Sequence, residues 1–172
     1  HKDLLQDLLL FWSSKQDKLV TLKEYVEAMG EEQKYIYFAA GENRARLAQL
    51  PQAELVKEKG YDILFFTDDV DEFVTQTLIK YQEKDFRNVA TEDLGLQSDE
   101  EKKLTEETQE MEKDVLTFIK DTLGDKVQEV RVSQTLRSHP VCLVPEPGMS
   151  FEMEKYMKRV NPEFSYESGR IL

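Results

Sequence analysis

Two short runs constrain this chain more than anything else in it: YIYFAA at residues 35–40 and DILFFT at residues 62–67. Both are aromatic and β-branched, and neither alternates with polar residues. Successive side chains of a strand point to opposite faces, so an unbroken apolar run predicts a strand covered on both sides. Between them lies a helical stretch from about Glu42 to Lys59, interrupted near Pro51 and closed by Gly60. Strand, helix, strand in that order predicts a parallel βαβ unit and an α/β fold.

The remainder is organised around that unit. HKDLLQDLLLFW, residues 1–12, reads as the tail of an amphipathic helix, and a start at His1 within it suggests a piece of a longer protein. Thr21 and Glu24 form a capping box that opens the helix LKEYVEAM, which Gly30 ends. VDEFVTQTLIKY predicts a helix over 70–81, capped by Asp68 or Asp69, with Asp71 and Glu72 complementing its positive end. Residues 86–90 can add a short strand. From residue 91 the composition turns acidic, as a solvated linker running into an exposed helix does. Ser98 and Glu101 form a second capping box, and the helix should run to Gly124 with Leu104, Met111, Val115 and Phe118 on one face. Strands are expected at KVQEVRVS (126–133) and VCLVP (141–145), followed by the turn PEPG and a last helix. Two small units result, split near residue 97: residues 1–97, of βαβ type, and residues 98–172, a long helix followed by an α+β part.

Charge and motif content exclude several functions. With 35 acids against 23 bases the net charge is -12, the wrong sign for a nucleic-acid partner or an anionic membrane surface. No apolar run approaches the ~20 residues of a membrane helix, and no signal-peptide pattern is visible. The single cysteine, Cys142, permits no internal disulfide and fits a reducing, cytoplasmic compartment. Its neighbours Val141 and Leu143 make it a buried strand position. No glycine-rich phosphate cradle occurs. His1 and His139 have no partner at metal-ligand spacing, and Cys142 and His139, three apart in an extended stretch, face opposite ways. TDDVDEF lacks the glycine and the spacing of a calcium loop. No catalytic, cofactor-binding or metal-binding residue is therefore assigned. A metal enzyme built on Asp68, Asp69 and Asp71 is the weakest reading, and a module docking one fixed partner is a stronger one.

Two helix faces remain as candidate surfaces. In the helix over 70–81, Val70, Val74, Thr77, Leu78 and Tyr81 form the expected core stripe, and Phe73 sits at its margin beside Glu72 and Gln76. In the last helix, Tyr156, Met149, Val160, Met153 and Met157 fall within an arc of about 100°, opposite Glu154, Lys155 and Lys158. Periodicity alone favours a core-packing face. Composition favours adaptable contact, because methionine is flexible and polarizable and specifies a unique core poorly. Three of the five methionines lie here.

EYVEAMGEEQKYIYFAAGE, KGYDILFFTDDVDEF, VQEVRVSQTLRSHPVCLV and MEKYMK occur in this order and at about these distances. In that series the chain resembles the ninety-kilodalton heat-shock chaperone family, of bacterial HtpG type, over nearly its whole length. The resemblance implies a dimeric, ATP-driven chaperone of three domains, of which residues 1–97 would be the end of the middle domain and residues 98–172 the start of the carboxy-terminal domain. ATP and Mg would bind in an amino-terminal domain outside this chain, and the dimerisation helices would follow Leu172. The resemblance also implies a surface for unfolded or partly folded clients. Glu72, Phe73 and Gln76 match a glutamate, a tryptophan and an asparagine of the bacterial proteins, so Phe73 and Gln76 depart from the pattern. Met149, Met153, Tyr156 and Met157 match exposed apolar positions of an amphipathic helix. On this reading those four side chains should be poorly buried.

Overall fold

The chain enters its sheet on a hairpin where a helix is expected. β1 (Leu10–Ser13) runs antiparallel to β2 (Lys18–Thr21), with Phe11 opposite Val20 and Trp12 opposite Leu19. Burial alternates along β1: Leu10 is exposed, Phe11 buried, Trp12 half-buried and Ser13 buried. Among the described residues of the expected helix, a 3-10 turn at Gln6–Leu8 is what is helical. A short apolar run fits either period, and here an open strand edge to pair with decides for the strand. The computed structural model describes residues 5–68, 70–91 and 93–172. His1 and Asp69, with the capping role expected of the latter, lie outside the described residues.

Asp62 fastens the hairpin turn to the sheet. Its carboxylate accepts from the Ser13 hydroxyl at 2.5 Å, the Ser14 hydroxyl at 2.9 Å and the Lys15 N–H at 2.9 Å. α1 (Leu22–Glu27) starts on the expected capping box: the Thr21 hydroxyl accepts from the Glu24 N–H at 3.1 Å, and the Glu24 carboxylate accepts from the Thr21 N–H at 2.8 Å. β3 (Ile36–Ala40) follows. The expected interrupted helix resolves into α2 (Arg44–Leu47), a 3-10 turn at Pro51–Ala53 and α3 (Glu54–Glu58). Gly60, at φ +73°, closes it. β4 (Leu64–Phe66) then lies parallel to β3, Phe38 opposite Leu64, as the βαβ reading requires.

α4 (Asp71–Leu78) is shorter than predicted, because Ile79 at φ +58° turns the chain into β5 (Lys80–Tyr81) and back along β6 (Lys84–Asn88). β6 pairs parallel with the other side of β3. The sheet order is β2-β1-β4-β3-β6-β5. Both faces are covered. One core gathers Phe11, Leu22, Tyr25, Phe38, Phe66 and Leu78 beneath α1 and α4. The other gathers Tyr37, Ala39, Leu47, Val56, Phe65 and Val89 beneath α2 and α3. Alternate residues of β3 serve each core, the physical reason its sequence is unbroken in hydrophobicity. Two expectations for α4 fail. Val70 and Thr77 are exposed, so its stripe on the core narrows to Val74 and Leu78, with Tyr81 buried from β5 instead. Asp68 does not cap the helix: Val70 holds the N-cap position without a side-chain bond, and Asp71 accepts from the Asp68 N–H at 3.0 Å.

Beyond residue 97, Ser98 and Glu101 make the second capping box and open α5 (Asp99–Met111). The long helix breaks at Glu112 and resumes as α6 (Lys113–Leu123). Leu104, Met111, Val115 and Phe118 are all exposed. The strand expected at 126–133 is reduced to a single bridge from Glu129 to Ile171. Its backbone-to-backbone bonds run to the last residues of the chain, Gln128 N–H to Arg170 C=O at 2.7 Å and Arg131 N–H to Leu172 C=O at 2.9 Å, too short a partner to build a ladder, and the Val132 N–H is taken by the Gln109 side chain at 2.6 Å. β7 (Val144–Pro145) pairs antiparallel with β8 (Arg170–Ile171), which leaves Cys142 half-buried and outside any strand. α7 (Phe151–Val160) is the methionine helix. No helix among the described residues is long and apolar enough to cross a membrane.

Candidate functional site

The two candidate surfaces, some 75 residues apart in the chain, meet in space. α7 opens on Ser150, whose hydroxyl accepts from the Met153 N–H at 3.0 Å, an ordinary serine cap. The same hydroxyl donates to the Glu72 carboxylate at 2.6 Å, so the cap of α7 is tied to the first turn of α4. The other Glu72 oxygen accepts from the Asn88 side-chain amide at 3.2 Å. Nearly two helical turns along α7, the Tyr156 ring meets Phe73 edge to face, centroids 5.6 Å apart. Arg159 lies over the Tyr156 ring at 5.5 Å. Farther out, Lys155 pairs with Glu42 at 2.7 Å.

Glu72 is the electrostatic centre of this contact. Burial pushes its carboxyl above the usual carboxylate range, the bonds from Ser150 and Asn88 pull it down, and the charge of Glu152 pushes it up again. Beside it a groove of about 520 Å³ is lined by Glu72, Thr75, Gln76, Met149 and Met153. Gln76 is exposed on its rim.

Burial on α7 departs from expectation. Met153 is only 5% exposed, and Met149, Tyr156 and Met157 are half-buried. The expected poorly buried stripe is thus covered, because α4 and the chain around Ser150 stand against it. Met149 also precedes the helix, so the helical arc consists of Met153, Tyr156, Met157 and Val160, the last of them exposed. Glu154, assigned to the solvent side, is 6% exposed. It binds Lys158 at 2.7 Å and the Ser168 N–H at 2.8 Å. Burial would raise its carboxyl, but Lys158 and the Ser168 N–H outweigh that and hold it below the usual range. α7 therefore packs on two sides, Met153 and Tyr156 toward α4 and Glu154 toward the turn before β8.

A second junction joins the two parts of the chain. Glu54, at the start of α3, accepts from the Arg137 N–H at 2.9 Å and the Ser138 N–H at 3.1 Å. It also contacts the Ser138 hydroxyl, and the His139 Nδ1 at 2.9 Å. Arg137 Nε reaches Glu58 at 2.9 Å. The Ser138 hydroxyl, first among these groups, holds the Glu54 carboxyl down at about 2. Sequence reasoning missed this cluster, and no local signal marks it, since its partners are 79 or more residues apart. His139 is accounted for by Glu54. Cys142 is half-buried, which pushes its thiol up. Among the described residues no group of three or more His, Cys, Asp or Glu side chains could hold a metal ion.

A model of the Hsp90 protein family matches residues 1–167. The chain is 52% identical over 174 residues to the chaperone protein HtpG of Clostridium acetobutylicum, covering 100% of this chain and 27% of that protein. It is 47% identical over 172 residues to chaperone protein HtpG of Bacillus subtilis, covering 100% of this chain and 28% of that protein. Among solved structures, the middle domain of a Plasmodium falciparum heat shock protein is 35% identical with a TM-score of 0.47, covering 49% of this chain and 36% of that one. The chain thus spans just over a quarter of the length of the curated relatives it matches. With a family model matched over almost all of its length and such relatives across the whole of it, the chain belongs to the Hsp90 protein family.

Proposed function

We propose that this chain is the client-binding part of an ATP-dependent chaperone. Its relatives are named as HtpG chaperones, which supports a chaperone role in general. The observation that carries the finer reading is the meeting of α4 and α7. Glu72, Gln76, Met149 and Met153 line one groove, and beside it Phe73 meets Tyr156, with Met157 one turn beyond Met153 on α7. Flexible thioethers and aromatic rings beside a carboxylate suit weak, many-point contact with partly folded chains. The net charge of -12 disfavours acidic clients. Residues 1–97 would be the end of a middle domain and residues 98–172 the start of a carboxy-terminal one. The whole protein would be a cytoplasmic dimer that binds ATP and Mg in a domain outside this chain. This part would contribute client contacts and no catalytic group.

The test is Met153→Ser with Met157→Ser, binding a fluorescein-labelled, reduced and carbamidomethylated lysozyme. Losing that apolar area should weaken binding roughly tenfold. Unchanged affinity in a folded double variant would refute the reading. Because Met153 is buried, folding is checked by urea melting of the same sample. A second reading, a module docking one fixed partner, draws on the exposed face of Leu104, Met111, Val115 and Phe118. It requires concentration-dependent light scattering that Phe118→Asp abolishes.

A further inference from the structure

We propose that the contact between α4 and α7 is an autoinhibitory latch, in which Glu72 on Ser150, Phe73 on Tyr156 and Glu42 on Lys155 close the client face until α7 swings away. This rests on the client-binding reading above and adds its regulation.

The first support is where Met153 sits. It is 5% exposed, yet it belongs to neither of the two cores that flank the sheet. It lines the groove between α4, the ends of β3 and β6 and the start of α7, and a residue outside both cores can withdraw without unfolding the sheet. The second support is the character of the fastenings. Among the described residues they are separable: a hydroxyl-to-carboxylate bond at 2.6 Å, an edge-to-face ring pair at 5.6 Å, and an ion pair at 2.7 Å whose side chains are 59% exposed at both ends. Exposed pairs of that kind contribute little. The third support is that closure works against a charge. Docking α7 takes the Glu72 carboxylate out of water and sets Glu152 beside it, and both oppose its ionisation. A closed state held by few bonds and opposed by a desolvated carboxylate is set for opening.

The closed state covers the side chains that the client reading needs. Phe73 and Tyr156 spend their ring contact on each other, and Met149 and Met153 face the groove against α4. A client can use them only in the open fraction, so its apparent dissociation constant is the intrinsic one divided by that fraction. If a tenth of molecules are open, full opening strengthens binding about tenfold.

Ser150→Asp with Lys155→Glu in the full chain tests this. Aspartate keeps a cap acceptor for the Met153 N–H but sets a carboxylate against Glu72, and glutamate at 155 repels Glu42. Lys155 is not a groove residue; Ser150 lines the groove and is tied to Glu72, so its change is read against Lys155→Glu alone. The probe is the labelled, reduced and carbamidomethylated lysozyme, read by anisotropy, with amide exchange reporting on α4, α7 and β3. The expected result is affinity raised about five- to tenfold, faster exchange in α4 and α7, and unchanged protection in β3. Lys155→Glu alone, at an exposed site, should give a smaller gain in the same direction and serves if the double variant loses β3 protection. Unchanged or weaker binding in a variant whose α7 has separated overturns the latch. Adding Met153→Ser and Met157→Ser to the opened variant separates the two readings. If the methionine changes weaken binding but opening does not strengthen it, the latch alone fails. If they weaken binding in neither background, the client reading fails and the latch with it.

Discussion

Tyr25→Phe removes one oxygen from the core between α1 and the sheet that carries the site, and the structure states what that oxygen does. Tyr25 is 1% exposed in the core beneath α1. Its hydroxyl donates to the Asp62 carbonyl at 2.7 Å and accepts from the Gln33 side-chain amide at 3.0 Å and the Tyr37 N–H at 3.2 Å. Three segments, α1, the entrance to β3 and the entrance to β4, are joined through one atom. Burial, first of all, pushes the hydroxyl far above its ordinary range, so it is neutral at any working pH and phenylalanine is its isostere. The substitution leaves the ring in place and opens no large cavity. It removes three bonds of about 1 kcal/mol net each and leaves buried partners unsatisfied, for a loss of about 2–4 kcal/mol. Gln33 softens the loss, since its amide also donates to the Tyr35 carbonyl at 2.9 Å. Urea unfolding should show a lowered midpoint at unchanged slope, and the Tm should fall roughly 5–15 °C. A loss below about 0.5 kcal/mol would refute the reasoning, because it would mean that the hydroxyl is not the shared partner of these three groups.

Two further outcomes follow from backbone and charge. Gly95 lies at φ +62°, and a Cβ there would stand 2.7 Å from the Tyr35 ring, so Gly95→Ala should cost about 1–2 kcal/mol in urea unfolding, and a neutral result would contradict the geometry. The Glu54 carboxyl, ordinarily near 4.5, is held at about 2 by the Ser138 hydroxyl, the Arg137 and Ser138 N–H groups and His139. A depressed carboxyl stabilises the fold fully above pH 4.5 and loses that contribution as pH falls from 4.5 toward 2. Amide resonances of residues 137–139 should therefore shift across that window, and Glu54→Gln should remove the step. A step persisting in Glu54→Gln would assign it to another group.

What was legible in the sequence was local. The capping boxes at Thr21 and Ser98 each close within four residues, so sequence neighbours supply both partners. β3 and β4 were legible because a run apolar at every position can be stable only with both faces covered. What misled was local evidence without its partner. LLQDLLLFW fits either period, and β1 forms because β4 offers it an edge. KVQEVRVS has the alternation of a strand, yet its backbone pairs with just the short segment ending at Leu172 and its Val132 N–H goes to the Gln109 side chain. Glu54 and Ser138 gave no sign of each other.

The candidate site divides in the same way. Periodicity determined that Met153, Tyr156 and Met157 share one side of a helix, because 100° per residue follows from backbone geometry alone. It also placed Phe73 beside Glu72 and Gln76 at the margin of α4. Only the tertiary structure decided what stands opposite: α4 against α7, Ser150 on Glu72, Met153 covered and Glu154 turned inward. A helical pattern says which side chains are together but carries no term for what they face. Burial is a property of two surfaces, and the second surface of this site lies some 75 residues away in the chain.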